Sequence, residues 1–467
     1  MVETSALRAR FASALSAMYG REVPAYRTML DVAGEVNEAV VAHRADAHRL
    51  GGIDRVTVER HGAIRVGTPT ELCQVATIFA GFGMHPVGFY DLRDESDSAV
   101  PVVSTAFRPV EARELGRNPF RVFTSMLTVD DRRFFTAELQ QRLEKFLGHR
   151  TLFRLELLAA AERAITSGGL PEPEASEFVE LAAAAFALSS EPVDRQWYTE
   201  LERISAVAAD IGGVTKTHIN HLTPRVLDID ELYGRMKGRG LEMIDEIQGP
   251  PRWKGPDVLL RQTSFRALAE PRRFREPDGA VVDGRLSVRF GEVEARGIAL
   301  TPTGRTRYDE LMGRTDAVTQ DGTSRQDAGE RVWERSTFPT TEAGLERQGL
   351  AYFTYRVSDS FRPDALMSSS SLAELLRDEI VIADPIVYED FLPRSAAGIF
   401  QSNLTDSGLK DNSTAGTKYD IDWLSDAIGQ SISVPEELYR AQSEASLQAA
   451  VDQLGIIGDV PITNYSL

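Results

Sequence analysis

Thr217-His218-Ile219-Asn220-His221-Leu222-Thr223-Pro224-Arg225 has an echo 160 residues earlier in the chain, Glu59-Arg60-His61-Gly62-Ala63-Ile64-Arg65-Val66. Both copies read His-x-x-x-Arg-Val, and both place Glu-Leu ten residues after the histidine, as Glu71-Leu72 and Glu231-Leu232. A helical-looking segment follows each Glu-Leu and ends in glycines, at Gly81-Phe82-Gly83 and at Gly238-Arg239-Gly240. The spacing repeats without a gap, so the chain reads as a duplicated strand-then-helix unit. An internal repeat constrains a fold more than any single residue does.

Around the first copy, Val56, Val58 and Arg60 alternate with Thr57, Glu59 and His61, which puts His61 on the polar face of a strand running to Val66. Leu72, Val75, Ala76 and Phe79 then recur at helical spacing, with Pro69 suited to the first turn. Short strands are expected near 87–92 and 100–107. Upstream, Leu7, Phe11, Leu15 and Met18, then Met29, Val32, Val36 and Val40, predict two helices separated by Pro24. Between the repeats the period changes to that of helices, over 134–146, 152–165 and 175–188. After the second repeat come a helix over 229–239 and strand-like runs over 258–265 and 286–300. In the last run Leu286, Val288, Phe290, Glu292, Glu294 and Arg296 share a face, so two carboxylates lie on a face that begins apolar. Residues 301–349 show little periodicity and read as an irregular or partly helical excursion. Ser368 to Ser371 read as a turn and helix cap before Leu372, Leu375 and Leu376. The stretch 388–400, with Arg394-Ser395-Ala396-Ala397-Gly398, suits a loop that approaches a ligand closely. The expected organisation is therefore α+β: N-terminal helices (1–50), a first module (51–108), a helical insertion (109–210), a second module (211–300) and a C-terminal excursion (301–467).

Composition narrows the function classes. A chain of 467 residues with 42% apolar and 26% charged residues has material for an ordinary globular core. No apolar run approaches the roughly 18 residues of a membrane helix, and the opening Met1-Val2-Glu3-Thr4-Ser5 lacks a leader's basic region and apolar stretch. The single Cys73 cannot form an internal disulfide, which fits a reducing cytoplasm. A formal charge of −18 argues against nucleic acid as a partner. A local basic pocket for a small acid remains compatible with it. Oligomeric state is not readable from the chain.

Two histidines and a carboxylate on neighbouring strands can occupy one face of a divalent metal and leave the other positions open, the arrangement of non-haem Fe(II). The candidates are His61, His221 and Glu292. His218 competes with His221, because residues three apart on a strand face opposite ways; the repeat alignment selects His221. Glu294 competes with Glu292, and strand parity does not separate them. Arg65, four residues past His61 on the same face and about 13 Å along the strand, is placed to fix the far carboxylate of a chelated dicarboxylic acid. Arg225 reads as its structural echo, and His43, His48, His85 and His149 as surface or core residues.

Several motifs then resemble one family: Tyr19-Gly20-Arg21-Glu22-Val23-Pro24-Ala25-Tyr26, Arg60 to Arg65, Phe120-Arg121-Val122-Phe123-Thr124-Ser125, His218 to Arg225, Arg261-Gln262-Thr263-Ser264-Phe265 and Phe290-Gly291-Glu292-Val293-Glu294-Ala295-Arg296-Gly297. Together they are similar to the 2-oxoadipate dioxygenase/decarboxylases, over a span from near the N-terminus to at least Phe400. The resemblance implies a vicinal-oxygen-chelate-like fold of paired βαβββ modules forming a half-open barrel, decorated by helices. It implies Fe(II) held by His61, His221 and Glu292, and conversion of 2-oxoadipate and O2 to 2-hydroxyglutarate and CO2 in lysine catabolism. Arg65 and Ser395 would be catalytic contacts to the substrate carboxylate. Glu292 is favoured over Glu294, since 4-hydroxyphenylpyruvate dioxygenase ends its metal strand with a similar Glu-x-x-x-Arg, matched here by Glu292 and Arg296. One departure is Arg394, where the family pattern has a small apolar residue before the serine. A second cation beside Ser395 is a candidate substrate contact that retunes which 2-oxo acid fits, the alternative being that it points outward without effect. The alternatives are the same iron chemistry on another 2-oxo acid, a divalent-metal isomerase or lyase on this scaffold, and a small-acid binding protein.

Overall fold

The computed structural model describes residues 1–43, 56, 60–95, 100–319, 323–361, 371–403, 408 and 410–456. The expected strand residues Thr57, Val58 and Glu59, as well as His48 and Ser368 to Ser370, lie outside them. The chain divides into two compact units, one of residues 1–248, 262–294 and 391–433, the other of residues 249–261, 295–390 and 434–467.

In the first unit β1 (Arg60–Val66) leads to a helix over Pro69–Gly81, then to β2 (His85–Asp91), β3 (Val102–Arg108) and β4 (Arg121–Leu127). The sheet order is β2-β3-β4-β1, closed on its far side by β5 (His221–Pro224). β1 runs parallel to β4 with His61 opposite Arg121, and antiparallel to β5 with His61 opposite Thr223 and Ala63 opposite His221. The two repeats therefore meet strand to strand. β4 differs from expectation, since it falls within 109–210, the stretch expected to be a helical insertion. Its buried run Val122-Phe123-Thr124-Ser125-Met126-Leu127 has no exposed face to produce alternation.

The second repeat follows the same plan. After β5 comes a helix over Ile229–Gly238, then an extended stretch bridged to β6 (Leu260–Phe265) at Met243–Phe265 and Gln248–Gln262. A hairpin of β7 (Glu270–Arg275) and β8 (Val281–Leu286) precedes β9 (Gly291–Arg296), which pairs with β6 and meets Arg225 through a parallel bridge at Glu294. The order stretch-β6-β9-β5 repeats β2-β3-β4-β1. These are the paired βαβββ modules of a vicinal-oxygen-chelate-like fold.

The repeated Glu-Leu has a physical basis. Thr68 caps the first helix by accepting from the Glu71 amide, and Asp228 caps the second by accepting from Glu231 at 3.0 Å. The adjoining Leu72 and Leu232 are fully buried and fix which helix face meets the sheet. The two N-terminal helices form as expected, at Thr4–Glu22 and Pro24–His43. Phe11 of the first stacks on Phe82 at 4.4 Å, and the Tyr19 hydroxyl donates to the carbonyls of Asn220 and Phe290.

Two local expectations need correction. The run 286–300 is not one strand: Leu286 ends the β7–β8 hairpin, and the next strand is Gly291–Arg296. The hairpin signal was present in Pro277-Asp278-Gly279, where Gly279 takes φ of +86°. Residues 388–400 are not an open loop, because a helix runs over Pro393–Asn403 with Pro393 in its first turn. In the second unit the excursion is largely helical, over Pro302–Thr319, Arg325–Glu334 and Glu342–Arg347. The first of these buries Tyr308, Leu311, Met312 and Thr315, a face too narrow to stand out in a polar sequence. Also in that unit, Phe353–Val357 pairs antiparallel with Val381–Pro385, and Trp333 packs edge-on against Trp253. Ser371 caps the helix Leu372–Arg377 in a capping box with Glu374. Among the described residues no helix is long and apolar enough to cross a membrane.

Candidate metal centre

β1, β5 and β9 converge on one point. His61 comes from the start of β1, His221 opens β5, and Glu292 is the second residue of β9. One donor atom from each of these buried side chains lies within 4.8 Å of the others. The Glu292 carboxylate faces both rings, with Oε2 3.0 Å from His221 Nδ1 and Oε1 3.8 Å from His61 Nε2. The rings are perpendicular with centroids 5.3 Å apart. Two imidazoles and one carboxylate, all buried, are the donor set that a divalent first-row metal takes when coordination positions are left open.

The surroundings hold each donor. Phe290 lies nearly parallel to the His221 ring at 5.3 Å, Phe391 meets the His61 ring edge-on at 5.0 Å, and the Gln262 amide donates to Glu292 Oε1. Thr223 Oγ1 lies 2.9 Å from His221 Nδ1. Burial, reinforced by His61 and Arg65, pushes the His221 imidazole well below its ordinary pKa. The ring is therefore neutral at physiological pH, the form a metal requires.

The two competitors sit elsewhere. Glu294 lies behind His61, its Oε2 2.8 Å from Nδ1, and its other oxygen faces the buried Arg121 at 3.4 Å. His218 precedes β5 and turns to Asp210, with Nε2 3.4 Å from Oδ1. Burial lowers the His218 pKa to about 4, so it too is neutral. Arg65 is also buried, and its guanidinium is ion-paired with Asp210. Asn220 donates to the same carboxylate at 2.9 Å. Burial opposes ionisation of Asp210, yet His218, Arg65 and Asn220 hold its carboxyl below the ordinary value. Ser395 is buried on the helix Pro393–Asn403, whereas its neighbour Arg394 is exposed. Of the other histidines, His43, His85 and His149 are exposed.

Sequence reasoning did not single out Asp210, Gln262, Arg121 or Phe391 as parts of this site. Gln262 and Arg121 lay inside motifs already noted, and the buried Asp210 is separated from Arg65 by 145 positions.

The comparisons with known proteins agree with this geometry. The family model for 2-oxoadipate dioxygenase/decarboxylase matches residues 11–403. A Mycobacterium tuberculosis (strain H37Rv) protein named 2-oxoadipate dioxygenase/decarboxylase is 55% identical over 443 residues, covering 95% of this chain and 98% of its own. An Escherichia coli K12 protein of the same name is 42% identical over 405 residues, covering 85% and 88%. The crystal structure of hydroxyglutarate synthase from Pseudomonas putida in complex with 2-oxoadipate superposes with a TM-score of 0.84 at 36% identity, over 97% of this chain and 99% of that one. With the family model spanning most of its length and relatives this similar end to end, the chain belongs to the 2-oxoadipate dioxygenase/decarboxylase family.

Proposed function

We propose that this chain is an Fe(II)-dependent dioxygenase that converts 2-oxoadipate and O2 to 2-hydroxyglutarate and CO2, with His61, His221 and Glu292 as the metal ligands. The observation that carries this reading is the buried convergence of two neutral-capable imidazoles and one carboxylate within 4.8 Å, in a chain of this family. Family membership and the donor set support iron over zinc, which favours a closed site or a single open water position. When bound, Fe(II) supplies the Lewis acidity and one-electron chemistry that oxidative decarboxylation by O2 needs.

The chain's own residues do the rest. His61, His221 and Glu292 would hold the ion, three protein donors rather than a closed four-ligand site. Phe290 and Phe391 line the ligand rings with apolar surface and limit water around them. Arg65, on the His61 face of β1, is the cation for the far carboxylate, oriented by Asp210 and Asn220. Ser395, buried on its helix, is a hydrogen-bonding contact to the substrate. Exposed Arg394 is a weaker candidate for substrate contact than Ser395. A lone, half-buried Cys73 fits a cytoplasmic setting.

The test is oxygen uptake by the Fe(II)-loaded protein with 2-oxoadipate, beside 2-oxoglutarate and the monocarboxylate 2-oxohexanoate, with His221→Ala as control. Uptake with 2-oxoadipate that yields 2-hydroxyglutarate and vanishes in the control is the expected result. Uptake with a different 2-oxo acid keeps the iron site and changes the substrate. Turnover without oxygen would replace the dioxygenase reading by an isomerase or lyase.

A further inference from the structure

The sequence Gly291-Glu292-Val293-Glu294 puts two carboxylates on one face of β9, and the structure divides them between the two nitrogens of a single histidine. Glu292 faces His61 Nε2 at 3.8 Å, and Glu294 faces His61 Nδ1 at 2.8 Å. The 2.8 Å separation is a charge contact rather than an aligned hydrogen bond, and a carboxylate this close favours the tautomer with hydrogen on the nitrogen it faces. With Nδ1 holding that hydrogen, the lone pair lies on Nε2 and points to the side of Glu292. Strand register secures the arrangement from both flanks. His61 lies opposite Arg121 in the β1–β4 pairing, and Arg121, fully buried, lies 3.4 Å from the second oxygen of Glu294. The bridge between Arg225 and Glu294 joins β9 to β5, the strand that carries His221.

We propose that Glu294 is a positioning residue for the metal centre: its charge behind His61 Nδ1 favours the tautomer whose lone pair lies on Nε2, and Arg121 holds it in place behind the ring. Glu294 is thereby kept out of the ligand set that its neighbour Glu292 occupies. This rests on the reading of His61, His221 and Glu292 as a metal site. Partners of this kind behind a ligand histidine set affinity by a factor of about 10–100, because an unheld ring must be ordered by the metal itself.

Cobalt(II) is the probe, since its visible absorption reports coordination independently of turnover. Affinity is measured by competition with a chelator for the full-length parent, Glu292→Gln, Glu294→Ala and Glu294→Gln. The parent binds. Glu292→Gln loses the coordinated spectrum. Glu294→Ala binds about 10–100-fold more weakly with an altered spectrum, and Glu294→Gln, which keeps an acceptor but not the charge, falls between Ala and the parent. A purely structural role for Glu294 would lower the melting temperature and leave the affinity of the folded protein unchanged. Cobalt affinity of folded Glu294→Ala within about twofold of the parent therefore overturns the proposal. If Glu294→Ala does not fold, the same affinity in Glu294→Gln overturns it. Loss of binding in Glu294→Ala as complete as in Glu292→Gln also overturns it, by making Glu294 a ligand. A parent that takes up no cobalt refutes the metal reading and this inference together, whereas a normal parent with an unaffected Glu294→Ala refutes this inference alone.

Discussion

Asp210→Asn removes the charge that faces Arg65 while preserving the shape of the side chain. The side chains of Asp210 and Arg65 are each 3% exposed, so water cannot replace the lost carboxylate. Removing one partner of a buried ion pair costs about 3–5 kcal/mol. The carbonyl of the introduced amide still accepts a hydrogen bond, which returns about 1 kcal/mol. The expected loss is therefore about 2–4 kcal/mol of unfolding free energy at pH 7, read by urea titration with far-ultraviolet circular dichroism. Replacing both partners with apolar residues, Arg65→Met with Asp210→Leu, recovers most of it, because the desolvation of both charges is relieved together. The pH dependence has a definite sign. The folded carboxyl titrates below its ordinary value of 3.8, so the parent's advantage is complete above that value and disappears as pH falls through the lowered one. Parent and variant converge in acid. An Asp210→Asn protein within about 0.5 kcal/mol of the parent at pH 7, or a double variant whose loss is the sum of the two single losses, refutes the coupling of these residues.

His218 is neutral in the folded protein down to pH about 4, whereas in the unfolded chain it takes a proton near the ordinary 6.5. The unfolded state thus binds more protons between those values, and stability falls by about 3 kcal/mol as pH drops across them. His218→Gln flattens that slope in a pH series of thermal melts; an unchanged slope contradicts the assignment. Gly291→Ala would bring a Cβ to 1.8 Å from Phe265 Cε1, where β9 presses on β6. Such overpacking costs about 1–3 kcal/mol, and because Glu292 is the next residue, the melting temperature and cobalt affinity should fall together. Phe265→Leu in the same protein restores part of both.

The duplicated strand-then-helix unit, its pairing of His61 with His221, and the α+β class were legible in the chain because they rest on local order. Cap and buried leucine recur at fixed offsets, and Thr68 and Asp228 act on helices that begin one residue later. The helix over Pro302–Thr319 was locally encoded as well, in a face that a polar background masked. β4 and the β7–β8 hairpin were harder to read. The first is buried on both faces, and the second alternates charged residues with one another as often as with apolar ones.

What the sequence determined by itself about the site was its residue types and spacing, since a repeat of period 160 aligns one histidine with the other wherever the chain goes. Which of Glu292 and Glu294 joins the buried cluster with His61 and His221 was decided only in three dimensions. Both point to one side of β9, and the difference between them is which nitrogen of His61 each meets, a matter of register between β1, β4 and β5. The pairing of Arg65 with Asp210 is of the same kind. A buried guanidinium needs a counter-charge, but which of the chain's 70 acidic residues supplies it depends on packing across 145 positions, and no local pattern carries that information.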